Sequence, residues 1–300
     1  MSNQHTTPRS YLFVPGDSAR KMDKAATSSA DAIILDLEDS VAPTRKAEAL
    51  RVTADFLNAC DSARPHPEFW VRVNASQPAD ALAELAALPL AHVSGIIHPK
   101  LGSHAQLERM GHWLDALEAR DSIQGAPTGI VGIITETAAS VVGEQARTLT
   151  RGHPRLRGYS WGTEDLSAVL GRPPIAGRTN ANTALAQSMQ MHCLMMAAAA
   201  GVDAIDSISA NFRDLEALAA ECDYARELGY TSKMAIHPAQ LDTLHAGLAP
   251  GAEAIAWARQ VRALVDANPD AASFQLDGRM VDQPHFNVAA RILERAGETG

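Results

Sequence analysis

Four apolar runs in this sequence lead into charged side chains, which are the first candidates for chemistry. The charged residues are Asp36, Glu38 and Asp39 at the first run, Arg72 in the second, Glu136 after the third, and Glu164 and Asp165 after the fourth. A short β-branched run bounded in this way is typical of a buried parallel strand whose carboxyl end meets water. Active sites of α/β proteins lie at those ends. We therefore predict one polar site assembled from several strands.

The carboxylates of Glu136 and Asp165 form the sharpest pair. Both follow a predicted strand, so both are expected at the same end of the sheet. Mg²⁺ is typically held by one or two protein carboxylates, with substrate oxygens and water completing the octahedron. We predict that Glu136 and Asp165 bind Mg²⁺ and that Glu164 is a solvated neighbour. The alternative for Glu136 is a charge at the N-terminus of the following helix, where negative charge is favourable.

Arg72 is predicted to bind a substrate carboxylate, because a guanidinium offers a planar fork of N–H donors. The alternative is a salt bridge to Asp36 or Glu38, and the two roles are compatible. Among the acids Asp36, Glu38 and Asp39, we expect one to line the site and another to fix Arg72 or Lys100. Asp36 is assigned to catalysis beside Arg72. Lys100 is predicted either to bind the substrate's anionic group or to orient an acid.

Other chemistries have less support in the sequence. No Gly-x-Ser-x-Gly elbow indicates a serine hydrolase, and no His-x-x-His spacing indicates a zinc site. Lys100 or Lys233 could form a Schiff base, as lysines in some barrel aldolases do. The carboxylate pair favours the metal route.

Composition excludes some classes of partner. The chain has 300 residues and a net charge of −9, from 26 basic and 35 acidic side chains. Nucleic-acid binding needs a basic face, so we predict no nucleic-acid partner. No apolar run approaches the ~20 residues that span a bilayer, so we expect a soluble protein without a membrane partner. Cys60, Cys193 and Cys222 form no Cys-x-x-Cys pair, which favours a reducing, cytoplasmic location.

Strand-like and helix-like segments alternate along the chain, which predicts βα units around a parallel sheet. The predicted strands are Tyr11–Val14, Ala32–Leu35, Phe69–Val73, Gly95–His98, Gly129–Ile134, Gly158–Trp161, Val202–Asp206 and Lys233–Ile236. The predicted helices begin at Pro43 or span Ser103–Ala119, Ala138–Thr150, Thr183–Ala200 and Asn211–Leu228. Eight strands in ~240 residues match a (β/α)₈ TIM barrel. The rival, a doubly wound open sheet, normally shows a Gly-rich turn after its first strand, and only Gly16 is present there.

The last fifty or so residues are predicted to lie outside the barrel. Pro250-Gly251 interrupts the chain before a predicted helix over Ala252–Ala267. A turn at Asp277-Gly278 and a final helix from about His285 to Ala296 follow. We therefore predict a catalytic barrel over 1–249 and a helical lid or arm over 250–300.

The motifs, taken in order, resemble those of the aldolase/citrate lyase family, which includes citrate lyase β subunits and malyl-CoA and citramalyl-CoA lyases. The resemblance covers nearly the whole chain. The matching segments are 9–16 (RSYLFVPG), 36–41 (DLEDSV), 71–74 (VRVN), 99–100 (PK), 134–137 (ITET), 161–166 (WGTEDL), 233–238 (KMAIHP) and 277–284 (DGRMVDQP).

This resemblance implies a TIM barrel with Mg²⁺ on Glu136 and Asp165 and a substrate carboxylate on Arg72. In relatives the tail segment closes over the active site of an adjacent subunit, which implies a homo-oligomer, commonly a trimer or hexamer. Its Asp, here Asp282, acts there as the acid/base; the alternative is a turn or cap residue before Pro284. The chain departs from the usual pattern at Met189–His192 and at Ser232, near regions that shape the acyl or CoA pocket.

We predict a Mg²⁺-dependent lyase that cleaves or forms a 3-hydroxyacyl-CoA such as malyl-, citramalyl- or citryl-CoA, yielding acetyl-CoA and a keto acid. Two alternatives stay open. One is a metal-dependent aldolase acting on free hydroxy-oxo acids without CoA. The other is a β subunit that works only within a citrate lyase-type complex.

Overall fold

Eight parallel strands, which we number β1 to β8, close into a barrel. In the computed structural model, which describes residues 7–60, 67–75, 77–172 and 183–298, each strand pairs with the next and β8 pairs with β1. The strands are β1 (Ser10–Pro15), β2 (Ala32–Asp36), β3 (Glu68–Arg72), β4 (Gly95–His98), β5 (Gly129–Ile133), β6 (Leu156–Ser160), β7 (Asp203–Asp206) and β8 (Ser232–Ala235). The predicted (β/α)₈ barrel is therefore confirmed, and every predicted strand is present with small shifts at its ends.

Helices lie between the strands. They are α1 (Ala19–Ala26), α2 (Lys46–Ala59), α3 (Pro78–Ala87), α4 (His104–Arg120), α5 (Ala138–Val142), α6 (Glu164–Val169), α7 (Ala184–Ala200), α8 (Leu215–Leu228) and α9 (Leu241–Leu248). Short 3₁₀ helices cover Pro43–Arg45, Leu90–His92, Glu144–Arg151 and Pro238–Gln240. Within the described ranges, no helix is long and apolar enough to cross a membrane.

The barrel interior is packed with side chains that alternate along the strands. This core consists of Tyr11, Ala32, Ile34, Trp70, Ile97, Val131, Ile133, Ile205 and Met234. Trp70 is the largest of them and meets the edge of the Tyr11 ring with centroids 5.7 Å apart. A Cβ on Gly95, in the neighbouring strand, would lie 2.2 Å from the Trp70 ring, so only glycine fits there. Large and small residues on adjacent strands therefore fill the barrel together.

Two predicted helices differ from the observed ones. The segment predicted as one helix over Ala138–Thr150 is a short helix, α5, followed by the 3₁₀ helix Glu144–Arg151. Gly143 separates them, because its extended ψ of 149° breaks the α-helical path. Helix α8 begins at Leu215 rather than near Asn211, since the Asp214 side chain accepts a hydrogen bond from the Ala217 N–H and caps the helix there.

The chain divides into two compact units, Met1–Gly247 and Leu248–Gly300. The second unit contains α10 (Ala252–Ala267), β9 (Ser273–Leu276), β10 (Arg279–Asp282) and α11 (Gln283–Arg295). Its two strands form an antiparallel hairpin, and its core is built on Ala258, Val261, Ala289 and Leu293. The predicted turn Asp277-Gly278 joins the strands with both φ angles positive, at 51° and 76°, as a two-residue hairpin turn requires.

Candidate active site

A cavity of about 660 Å³ lies at the carboxyl ends of the barrel strands. Its wall includes Asp36, Arg72, Glu136 and Asp165, which were predicted from the sequence. Lys100, the remaining predicted residue of the barrel, binds two of the acids of this group through its backbone and side chain. The strand ends therefore bring these distant parts of the chain to one site.

Glu136 follows β5 and points into this site from a buried position. Its Oε2 accepts a hydrogen bond from the backbone N–H of Lys100 at 2.6 Å. Thr137, not Glu136, caps α5, because its hydroxyl accepts the Ser140 N–H. Burial raises the pKa of Glu136 to about 7; the Lys100 N–H acts in the opposite direction, and the charge of Glu38 adds to the rise. A nearby cation would stabilise the charged form of a buried carboxyl group whose pKa is raised in this way.

Asp165 lies in the first turn of α6, and 41% of its side chain is exposed. Its Oδ2 is 2.8 Å from the ammonium nitrogen of Lys100. The neighbouring Glu164 is exposed but also contributes to the cavity wall. Asp165 is therefore accessible from the cavity, and its carboxylate is paired with the ammonium group of Lys100.

Lys100 connects the acids of the site. Its Nζ lies 2.6 Å from Glu38 Oε1, in addition to the contact with Asp165. The residue has a positive φ of 53°, which costs energy for a side chain other than glycine and is found mainly at functional positions. Burial acts to lower the pKa of Lys100, but hydrogen bonds to Asp165 and Glu38 outweigh it and raise the pKa.

Arg72 and Asp36 form a buried, two-pronged ion pair. The Nε and Nη2 groups of Arg72 donate to the two Asp36 oxygens, each at 2.7 Å. Asp36 also accepts the backbone N–H groups of Glu38 and Ser40. The Nη1 of Arg72 lies 3.2 Å from Glu38 Oε2, and its guanidinium carbon is 4.8 Å from the Phe13 ring centroid.

This pair places Arg72 for recognition of an anion. Burial acts to raise the pKa of Asp36, but the hydrogen bonds and charge of Arg72 outweigh it, and the pKa lies below its ordinary value. Asp36 takes two of the five N–H donors of the guanidinium, and Nη1 faces Glu38 and Asp39, so only the remaining N–H groups of Nη1 and Nη2 are open to a substrate carboxylate. Asp36 is thus the partner that orients Arg72, and its own part in catalysis stays a prediction.

The residues present fit a magnesium ion. Glu136 and Asp165 supply hard carboxylate oxygens from two strand ends to one cavity. In the described part of the chain, no three His, Cys, Asp or Glu side chains are arranged to hold a metal. Two carboxylates without a full protein cage are what Mg²⁺ uses when substrate and water complete its shell. Gly162 has no side chain to fill the space beside Glu136, where a Cβ would be 3.8 Å from Oε1.

A second charged cluster in the cavity wall was not predicted. Lys233 Nζ lies 2.7 Å from Asp206 Oδ2, and both side chains are at least 97% buried. Glu221 lies beside them, with Oε2 3.6 Å from Lys233 Nζ. The available signal was the placement of an acid and a lysine inside the apolar seventh and eighth strands. Their pairing across β7 and β8 appears only in the register of Asp206 with Lys233.

The state of the two lysines argues against a Schiff base at either one. A lysine nucleophile needs a lowered pKa, so that the neutral amine is available. Burial acts to lower the pKa of Lys233, but Asp206 and Glu221 outweigh it and the pKa is raised. Lys100 is raised in the same way. Both are held as ammonium groups.

Asp282 lies in the second unit, at the N-terminus of α11. Its Oδ1 is 2.7 Å from His285 Nδ1, within a capping box. About a third of its side chain is exposed, 34%. The cap alternative is therefore observed, and the acid/base role stays a prediction that a cap does not prevent.

The chain is similar to known proteins in both sequence and fold. Residues 9–238 match the model of the HpcH/HpaI aldolase/citrate lyase family. A (3S)-malyl-CoA thioesterase from Cereibacter sphaeroides is 32% identical over 298 residues, 99% of this chain and 97% of that protein. A citrate lyase subunit beta-like protein from Mycobacterium tuberculosis is 32% identical over 288 residues, 96% of this chain and 95% of that protein.

A solved structure extends the likeness to the fold. The M. tuberculosis protein CitE, in complex with magnesium, acetoacetate and coenzyme A, superposes with a TM-score of 0.75 and 31% identity. The match covers 98% of this chain and 99% of that one. The motifs, the barrel and these likenesses agree, and the chain belongs to the HpcH/HpaI aldolase/citrate lyase family.

Proposed function

We propose that this protein is a Mg²⁺-dependent carbon–carbon lyase that cleaves or forms a 3-hydroxyacyl-CoA such as malyl-, citramalyl- or citryl-CoA. The products of cleavage are acetyl-CoA and a keto acid. The observation that carries the proposal is the meeting of Glu136, Asp165 and Arg72 in one cavity. The M. tuberculosis CitE complex with magnesium, acetoacetate and coenzyme A supports it from a related chain.

Glu136 and Asp165 are the residues that would hold the metal. When bound, Mg²⁺ supplies Lewis-acid polarisation of a substrate oxygen and charge stabilisation at that oxygen. Lys100 Nζ, which contacts both Asp165 and Glu38, would have to leave Asp165 for a cation to bind there. Its backbone N–H continues to orient Glu136.

Arg72 binds the carboxylate next to the reacting carbon. Because Asp36 accepts hydrogen bonds from both Nε and Nη2, the planar guanidinium is oriented before substrate arrives, and little entropy is lost on binding. The neighbouring Phe13 ring excludes water from one face of the guanidinium. A substrate without this carboxylate should bind poorly.

Proton transfer at the acetyl carbon is assigned to Asp282. In cleavage, the Asp282 carboxylate takes the proton of the hydroxyl group, the hydroxyl oxygen becomes the keto oxygen, and the electrons of the broken C–C bond pass to the thioester as an enolate. Asp282 then donates a proton to the enolate carbon, and in the reverse direction it removes one from the methyl group.

The site is proposed to be shared between subunits of a homo-oligomer, a trimer or hexamer, with the second unit as a lid on a neighbour. Glu136→Gln and Asp282→Asn proteins should each be inactive, and a mixture that has exchanged subunits should recover part of the activity. Mixed oligomers without any activity, despite proven exchange, would remove the shared site. We place the enzyme in the cytoplasm, where its three unpaired cysteines would stay reduced.

Thioester hydrolysis is a second candidate, because the C. sphaeroides relative is a (3S)-malyl-CoA thioesterase. The two reactions differ in their products. Cleavage of the C–C bond gives acetyl-CoA and a keto acid, whereas hydrolysis gives coenzyme A and an intact hydroxy acid.

One experiment separates the candidates. Purified protein is incubated with malyl-, citramalyl- and citryl-CoA, with Mg²⁺ or with EDTA, and the products are identified by mass spectrometry. We expect Mg²⁺-dependent acetyl-CoA and the matching keto acid from one of the three. Release of coenzyme A together with the intact hydroxy acid would favour the thioesterase. Turnover only of free hydroxy-oxo acids would favour the CoA-independent aldolase, and activity only with added lyase subunits would favour the complex-bound β subunit.

A further inference from the structure

The carboxylate of Asp206 receives three hydrogen bonds in the wall of the cavity. Its Oδ2 is bound by Lys233 Nζ at 2.7 Å. Its Oδ1 accepts from the indole N–H of Trp161 at 2.9 Å and from the side-chain amide of Gln190 at 3.0 Å. Asp206 itself is 1% exposed. A carboxylate this fully satisfied and this buried is held in one position.

Trp161 connects this carboxylate to the metal site. It is the first residue after β6, and Asp165 follows four positions later in the first turn of α6. On the other side of the same segment, Gly162 exchanges two hydrogen bonds with the Thr135 hydroxyl, at 2.8 and 2.9 Å. Thr135 directly precedes Glu136. The segment that presents Asp165 is therefore held at Thr135 and at Asp206.

Lys233 makes the burial of Asp206 possible. A carboxylate without a counter-charge is strongly disfavoured in a protein interior. Lys233 is 2% exposed and supplies that charge, and Glu221 stands on its other side. Lys233 Nζ lies 2.7 Å from Asp206 Oδ2 but 3.6 Å from Glu221 Oε2, so the ion pair with Asp206 is the closer one.

Gln190 completes the arrangement from α7. It belongs to the segment where the sequence departs from the usual family pattern, and it is 6% exposed. Its backbone carbonyl accepts the Tyr230 hydroxyl at 2.7 Å, so both ends of the residue are held. The amide is thereby aimed at Asp206 Oδ1, beside the indole.

We propose that Asp206 is a positioning residue for the metal site, which acts through Trp161 to fix the segment that presents Asp165. The inference rests on the proposed function only in taking Asp165 as a Mg²⁺ ligand. Residues that orient metal ligands typically change metal affinity by about 10- to 100-fold when they are altered. Asp206 touches neither substrate nor metal in this role.

The test measures Mg²⁺ binding by calorimetry on the full-length protein, without substrate. Trp161→Phe keeps an aromatic ring but removes the N–H donor together with part of the indole, and we expect Mg²⁺ affinity to fall about 10-fold. Asp206→Asn should weaken binding to a similar or greater degree. If Asp206 acts through Trp161, the double variant should bind no more weakly than Asp206→Asn alone.

A matched control comes from the opposite end of the barrel. Glu118 holds the buried Arg155 before β6 and accepts the Thr128 N–H before β5. Glu118→Gln should lower the melting temperature yet leave Mg²⁺ affinity within twofold of wild type. Because Trp161→Phe removes part of a buried indole, it should also lower the melting temperature, but unlike Glu118→Gln it should bind Mg²⁺ more weakly.

The outcomes separate this inference from the proposed function. Unchanged Mg²⁺ affinity in Trp161→Phe, or losses that simply add in the double variant, would overturn the positioning role while leaving the metal site intact. Wild-type protein that binds no Mg²⁺, or Glu136→Gln protein that binds it as well as wild type, would overturn the proposed site and the inference with it.

Discussion

Two lysine-centred clusters face the same cavity and differ in their access to water. At the mouth, Lys100 contacts Glu38 and Asp165; the Lys100 and Asp165 side chains are 27% and 41% exposed, whereas that of Glu38 is 6% exposed. In the wall, Lys233 contacts Asp206, and these side chains are 3% and 2% exposed. In the first cluster, the exposed Asp165 can exchange Lys100 for an entering cation, and Lys100 can exchange Asp165 for an anionic substrate group. Those in the second cannot be separated without leaving a buried charge.

The difference shows how the same residue types take on different tasks. The mouth cluster places the carboxylates of Glu38 and Asp165 and the ammonium group of Lys100 where ligands enter the cavity. The backbone of Lys100 has a positive φ there. The wall cluster supports the elements from which the mouth residues project. Burial, rather than residue type, separates chemistry from support.

The largest expected effect on stability comes from replacing Lys233, compared with the same replacement of Lys100. Lys233→Met should lower the free energy of unfolding by about 3–5 kcal/mol, because Asp206 is left buried and uncompensated. Lys100→Met should cost less, about 1–3 kcal/mol, since Asp165 is exposed to water and the buried Glu38 still has the charge of Arg72 beside it. Urea denaturation measures both. The double variant Lys233→Met/Asp206→Asn should recover part of the loss, and equal costs for the two lysines would erase the distinction.

The pH dependence of stability tests the mouth of the site. Burial raises the pKa of Glu136 from 4.5 to about 7, so between these values the folded metal-free protein holds a proton that the unfolded chain has lost. The stability contribution of Glu136 should therefore fall by about 3 kcal/mol as pH rises from 4.5 to 7 and level off above that.

Comparing wild type with Glu136→Gln isolates this effect, because the other titrating groups are common to both proteins. The stability difference between them should change with pH over that window in EDTA. In excess Mg²⁺ the wild type should regain stability toward pH 7, as the cation replaces the proton. A difference that stays constant with pH would mean that Glu136 is not perturbed by burial.

The smallest effect separates the two roles of Asp282. Asp282→Ala should lower the stability of the second unit by about 1 kcal/mol through loss of the helix cap, whereas Asp282→Asn should change it by less than about 0.5 kcal/mol. Turnover should be lost in both, because neither side chain transfers a proton. Full activity in Asp282→Asn would restrict this residue to capping.

Much of the fold follows from the sequence because each strand is a short apolar run buried on both faces. Ala32–Leu35 shows this directly, since every residue there is buried between the barrel interior and the helices. The broken helix at Gly143 and the hairpin around Asp277-Gly278 were harder to predict. In each case the backbone angles of one or two residues decide where a helix or strand ends. The elements beside them are only four or five residues long.

The mouth of the site was predictable for a related reason. Arg72 ends β3, Glu136 follows β5 and Asp165 follows β6 in the first turn of α6, and parallel strands bring their carboxyl ends together. The hydrogen bonds that hold Asp206 in the wall cluster could not be predicted, because Trp161, Gln190 and Asp206 come from three separate elements and meet only through packing. No spacing in the sequence records a hydrogen bond between β7 and α7.

The central claim, that Glu136 and Asp165 grip one cation, is tested most directly by crystals grown with Mn²⁺ and pyruvate. Anomalous scattering would locate the ion without reference to the protein's atoms. We predict a single strong peak within coordination distance of an oxygen of each carboxylate, roughly 2.0–2.3 Å, with Lys100 turned away from Asp165. A peak elsewhere, or carboxylates that face apart with no shared ion, would contradict the account.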